Sequence, residues 1–173
     1  VNGNCLAQIA KEGIIVCLGV EAALASETSK YFIHKIQNGK PYCSLKIAAS
    51  IDGRIALSDR KKRWLTGPEM RRYVHLLRSQ ADAIITGIGT VLADDPQLNC
   101  RNEGLENDSP PIFIFDRLLR IPTAAAILQS PHPVTLFCSE AASEPRRQAL
   151  GDAGCVIVPL PGDAEGRPDI GAA

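Results

Sequence analysis

Apolar residues recur along this chain with two different periods, and the change between them predicts the elements. Met70, Val74, Leu77 and Ala81 fall three to four residues apart, which places them on one face of an α-helix. Thr66-Gly67-Pro68-Glu69, just before them, has the spacing of a capping box with proline in the first turn, so the helix is predicted to start there. Over residues 44–52 the period is two. Leu45, Ile47, Ala49 and Ile51 alternate with Ser44, Lys46, Ala48, Ser50 and Asp52, predicting a strand with one apolar face and one polar or small-residue face. Asp52-Gly53 reads as a turn, with residues 54–57 as a returning strand. Continuous apolar runs at 14–18, 83–86, 111–115, 134–138 and 155–158 predict buried strands.

Helical patterns fill much of the remainder. Residues 5–12 form a short one stopped by Gly13; residues 21–37, with apolar positions at Leu24, Tyr31, Phe32 and Ile36, form a second, ended by Asn38-Gly39. Ser143-Glu144-Pro145 opens another before the last strand. Lys40-Pro41 breaks the pattern and marks an expected domain boundary. Strands alternating with helices argue for an α/β fold with a largely parallel sheet. Beyond a Pro/Gly-rich stretch, residues 169–173 read as an N-cap and one turn of helix, too short to nucleate by itself, so the expectation is a chain cut short.

Composition narrows the class. At 173 residues the chain fits one domain, or one domain with part of another, and can bury a core without covalent staples. Nineteen basic and nineteen acidic residues balance, which argues against a nucleic-acid partner. No apolar run approaches the length of a membrane span and no signal-peptide pattern appears; a cytoplasmic protein is expected from cysteines that read as reduced. The six cysteines contain no C-x-x-C pair and mostly sit in apolar runs, predicting reduced core thiols and no metal site. His34, His75 and His132 share no metal-ligand spacing, and none receives a catalytic role.

Candidate chemistry follows the strands. Gly87-Ile88-Gly89-Thr90 directly after a strand can bring backbone N–H groups to an anion, although such an exit is also an ordinary turn. Asp94-Asp95-Pro96 could hold a metal, share a proton or simply cap a turn. Trp64 fits a hydrophobic staple as well as a ligand stack. Arg78 and Arg101 can clamp a phosphate, or be surface residues. Lys46, in mid-strand among small residues, suggests a lined cleft or a snorkelling side chain.

Together these pieces resemble a known family. Lys40-Pro41-Tyr42, the run Leu45-Lys46-Ile47-Ala48-Ala49-Ser50-Ile51-Asp52-Gly53-Arg54, and Trp64-Leu65-Thr66-Gly67 resemble the reductase domain of the bifunctional riboflavin-biosynthesis deaminase/reductase. The likeness continues through Val74-His75-Leu76-Leu77-Arg78 and the segment from Gly87 to Leu98, and ends at Arg101. Beyond residue 111 it rests on strand order and Asp116. Residues 1–40 resemble the tail of the deaminase domain, and residues 41–173 the N-terminal part of the reductase domain. The deaminase zinc signature is absent from this sequence, so zinc is expected only with the rest of that domain. The family's later glycine-rich cofactor segment is absent too, which implies weak activity for this stretch alone.

The resemblance implies a dihydrofolate-reductase-like fold, a mixed, mostly parallel sheet flanked by helices. It also implies NADPH-dependent reduction of the ribose of 5-amino-6-(5-phosphoribosylamino)uracil. Ala48, Trp64, Thr90 and Asp94 match cofactor positions; Arg78, Leu98 and Arg101 match substrate positions. Lys62 stands where the family usually has a small hydroxyl residue against the substrate. Lys46 is a candidate to protonate or polarise the leaving ring oxygen. The implied partner is a phosphorylated pyrimidine, with a homo-oligomer left open. The alternatives are a related pyrimidine or pteridine reductase on the same fold, and a non-catalytic fragment.

Overall fold

A computed structural model describes residues 3–57, 64–162, 169 and 171. The chain forms two compact units, Val1–Ile47 and Ala48–Ala173. The first holds three helices, α1 (Asn4–Lys11), α2 (Ala22–Thr28) and α3 (Lys30–Asn38), none with a buried residue. Gly13 and Gly39 follow α1 and α3 with φ of +76° and +64°, the left-handed conformation that ends a helix and that glycine adopts without strain. The single helix predicted over 21–37 is broken at Ser29. Just before it, the hydroxyls of Ser26 and Thr28 bond back to the carbonyls of Ala22 and Leu24, a local competition that disfavours a continuous helix. Around Tyr42, the rings of Tyr31 and His34 pack edge-on, with centroids 5.0 and 5.4 Å away.

The second unit is built on a four-stranded parallel sheet in the order β1 (Ile84–Gly87), β2 (Ile112–Phe115), β3 (Val134–Ser139), β4 (Val156–Leu160). Register is uniform: Ile84 pairs Ile112, which pairs Val134, and Gly87 pairs Phe115, which pairs Phe137. The carboxyl ends of β1 and β2 are therefore level, and β3 runs two residues further, to Ser139. Helix α5 (Ile88–Asp94) leaves β1 without a loop, and α6 (Glu144–Asp152) connects β3 to β4. One sheet face carries the core: Ile112, Ile114, Val134, Leu136 and Cys138 pack with Ile88 and Val91 of α5, Leu150 of α6, and Leu119, Ile121 and Ile127. The α/β class and parallel sheet expected from the alternating pattern are what the structure shows.

Several local expectations need correction. Residues 14–18 and 41–50 have no regular structure, and 54–57 form no strand. A strand is defined by its neighbour, and none of the described residues pairs with these segments. The turn at Asp52-Gly53 does form, with Gly53 at φ +75° and Ser50 N–H donating to the Arg54 carbonyl at 2.9 Å. Strand β1 is not buried throughout: it lies at the edge of the sheet, and Ile85 is exposed. Helix α4 (Pro68–Ser79) starts one residue later than the capping box requires, with Gly67 as N-cap and no side-chain cap. The residue before a proline is disfavoured in the helical region, so Gly67 stays extended and Pro68 takes the first helical position. Cys100, Cys138 and Cys155 are buried free thiols as expected, whereas Cys5, Cys17 and Cys43 are free but exposed. Of the helix turn expected at 169–173 only Asp169 and Gly171 are described, with the Gly171 N–H donating to Asp169 Oδ1 at 2.8 Å, and Lys62 falls outside the described residues.

Candidate active site

Helix α4 and the chain after α5 bring a cationic group together. Asp95 ends α5 with φ +40°, and its Oδ1 accepts the N–H of Ala126 at 2.8 Å. The second acid of the Asp-Asp-Pro turn is thus a tie between loops, and among the described residues no acid, His or Cys cluster suits a metal. Leu98, at φ +54°, then packs its side chain on the core and turns the backbone toward α4. The Asn99 carbonyl accepts Arg78 Nη1 at 3.0 Å and lies 3.1 Å from His75 Nδ1. Arg101 donates its backbone N–H to His75 Nδ1 at 3.2 Å and its Nη1 to Gln97 Oε1 at 2.8 Å.

Arg78 and Arg101 therefore converge on His75, and among the described residues neither arginine has a carboxylate partner. Burial, and then the neighbouring Arg101, push the Arg78 guanidinium below its ordinary value, although it stays a cation at physiological pH. Burial also lowers His75, with Arg78 and Arg101 adding repulsion and the Asn99 carbonyl opposing them. Such a site favours an anion. Sequence reasoning picked both arginines and passed over His75; its i, i+3 spacing to Arg78 on a helix was the signal available.

The glycine turn lies at the carboxyl end of β1, where parallel sheets place ligands. Gly87 caps α5 and Thr90 sits in its first turn, whose N–H groups lack partners within the helix. A Cβ on Gly87 or Gly89 would meet nothing within 4 Å, so the chain's own packing does not demand glycine there. Gly87, Gly89 and Thr90 are all exposed, leaving room for a cofactor phosphate to reach the backbone. Trp64 is largely exposed, and instead of an apolar staple it carries Arg71, whose guanidinium lies 4.7 Å from the ring centroid. Arg71 is held by the Thr66 carbonyl at 2.7 Å. Asp94 is an exposed residue of the last turn of α5. Ala48 is half-buried in the second unit, and Lys46 is exposed in the first.

Asp116 is wholly buried just after β2, where Oδ2 accepts the Ile121 N–H at 2.8 Å; it shapes the strand exit. An open depression at the opposite end of the sheet, lined by Leu128, His132, Val134 and Cys155, touches neither the glycine turn nor the arginines. Burial raises the Cys155 thiol there, keeping it protonated.

The RibD C-terminal domain family matches residues 41–163. Riboflavin biosynthesis protein RibD of Escherichia coli K12 is 39% identical over 113 residues, covering 65% of this chain and 31% of that protein. RibD of Aquifex aeolicus is 30% identical over 162 residues, covering 94% of this chain and 45% of that protein. The chain thus spans less than half the length of these relatives. Among solved structures, Acinetobacter baumannii RibD superposes with a TM-score of 0.70 at 34% identity, over 92% of this chain and 44% of that one. The Thermotoga maritima diaminohydroxyphosphoribosylaminopyrimidine deaminase/5-amino-6-(5-phosphoribosylamino)uracil reductase gives 0.67 at 27% identity, over 92% and 50%. On the match over residues 41–163, the chain belongs to the RibD C-terminal domain family.

Proposed function

We propose that this chain contributes to the NADPH-dependent reduction of the ribose of 5-amino-6-(5-phosphoribosylamino)uracil to its ribityl form. The observation that carries the reading is the convergence of Arg78 and Arg101 on His75 in a chain of this family. A ribose 5′-phosphate is a dianion, and paired guanidinium groups with no carboxylate partner among the described residues are suited to hold it. The activity named for the Thermotoga maritima structure supports the same substrate.

NADPH would supply the hydride. Thr90 and the free N–H groups at the start of α5 would hold a cofactor phosphate, and Trp64, Ala48 and Asp94 would complete that side. Arg78 and Arg101 would fix the substrate phosphate, with Leu98 and Lys62 beside the sugar and base. Holding one end of a flexible sugar reduces the freedom of its C1′, which is how a remote phosphate contact assists hydride transfer. By resemblance, Lys46 would give a proton to the ring oxygen as the ribose opens.

A crossed pair of variants tests the two sides. Arg101→Ala should weaken substrate binding by about 1.5–3 kcal/mol and leave NADPH affinity nearly unchanged. Thr90→Val should do the reverse, weakening NADPH by about 0.5–3 kcal/mol, the range from a neutral to a charge-assisted bond. Titrations of each ligand against each folded variant measure this, and variants that harm both ligands alike would remove the assignment.

A further inference from the structure

In one of its two neutral tautomers the imidazole of His75 has a donor to which no described neighbour offers an acceptor. In the neutral ring that accepts the Arg101 backbone N–H on Nδ1, the proton resides on Nε2. Nε2 lies 3.5 Å from Nη2 of Arg101, itself a donor. Two N–H groups so close repel unless an acceptor sits beside both, and an anionic oxygen meets that need.

We propose that His75 is a third ligand-binding residue of the anion site, its Nε2–H sharing a phosphate oxygen with Arg101 Nη2, and that the ring takes up a proton from solvent when a phosphomonoester dianion binds. This rests on the phosphate reading of Arg78 and Arg101. The Asn99 carbonyl, 3.1 Å from Nδ1, accepts the extra proton, and the Arg101 backbone N–H, 3.2 Å from the same nitrogen, gives up its bond to the ring. That carbonyl already accepts Arg78 Nη1, so it becomes the hub of both cations.

The charged and titratable groups around the ring favour this coupling. Arg78 comes from the same helix, Arg101 and Cys100 from the chain after α5, and a 3-10 turn carrying Glu106 and Asp108 packs against α4. Neither of those two acids is among the groups that act on the ring; the two arginines are, and with burial they keep it neutral when no anion is present. A bound dianion reverses the sign of the local field, and the imidazolium becomes the favoured form.

Ring resonances of His75, identified by their loss in His75→Gln and followed by NMR against pH, test the proposal. Without ligand the midpoint should lie below 6.5. Saturating ribose 5-phosphate should raise it by about one unit or more, and ribose should not move it. Linkage then requires ribose 5-phosphate affinity, expressed per dianion, to fall about tenfold as pH rises from below the ligand-free midpoint to above the bound one. His75→Gln, whose amide donates but does not titrate, should keep measurable binding and lose that pH dependence. If ribose 5-phosphate binds in an Arg101-dependent way while the His75 midpoint stays fixed, the role of His75 is overturned and the phosphate site stands. If ribose 5-phosphate binds no better than ribose, the phosphate site falls, and His75 with it.

Discussion

Residues 44–57 and residues 112–139 are similar in apolar content and opposite in surroundings. Ile112, Ile114 and Leu136 are completely buried, each on a strand with a parallel neighbour on both sides. Leu45 and Ile51 are 85% and 108% exposed, on backbone that pairs with no described strand. The difference shows what apolar alternation requires. It creates a face that can be buried, and only a hydrogen-bonded neighbour in register holds that face against a core.

Three measurements sharpen or break this contrast. The largest effect belongs to Leu136→Ala, which should cost about 2–5 kcal/mol by denaturant unfolding, because close-packed neighbours relax only partly into the space left behind. A cost near zero would mean that the sheet core is not the stabilising centre. Asp116→Ala should come next, at about 1–3 kcal/mol, since it leaves the buried Ile121 N–H without its acceptor. A neutral result there would show that the exit of β2 is held by other contacts, such as the backbone bond from Asp116 to the Phe137 carbonyl. The smallest effect should come from Ile51→Ala, within about 0.5 kcal/mol, as for an exposed substitution away from any packed feature. A loss of several kcal/mol would show that this side chain is covered in solution, and would end the contrast.

The site was legible in parts, for different reasons. Arg78 and Arg101 stand out in the sequence only through the motifs that contain them, and the fold brings them to one place. Thr90 follows from a glycine-bracketed strand exit, a backbone feature that sequence writes openly. His75 was passed over because no histidine spacing marks it. The role proposed for it depends on Asn99 and Arg101, 24 and 26 residues away. Asp95 could be read as a paired acid until its bond to Ala126, 31 residues on, showed what it holds.

By itself the sequence determined what local patterns decide: the apolar runs at 83–86, 111–115, 134–138 and 155–158, the helix opened at 143–145 before the last of them, and the glycine stops after α1 and α3, but not helix α5. It also carried the family, since an ordered series of motifs needs no coordinates to be compared. Only the tertiary structure decided which apolar runs become strands. It also separated the paired acids into a loop tie at Asp95 and an exposed helix end at Asp94, and gathered His75 with the two arginines. Those outcomes depend on partners distant along the chain, and the free energy of a pairing or a buried charge belongs to both partners at once.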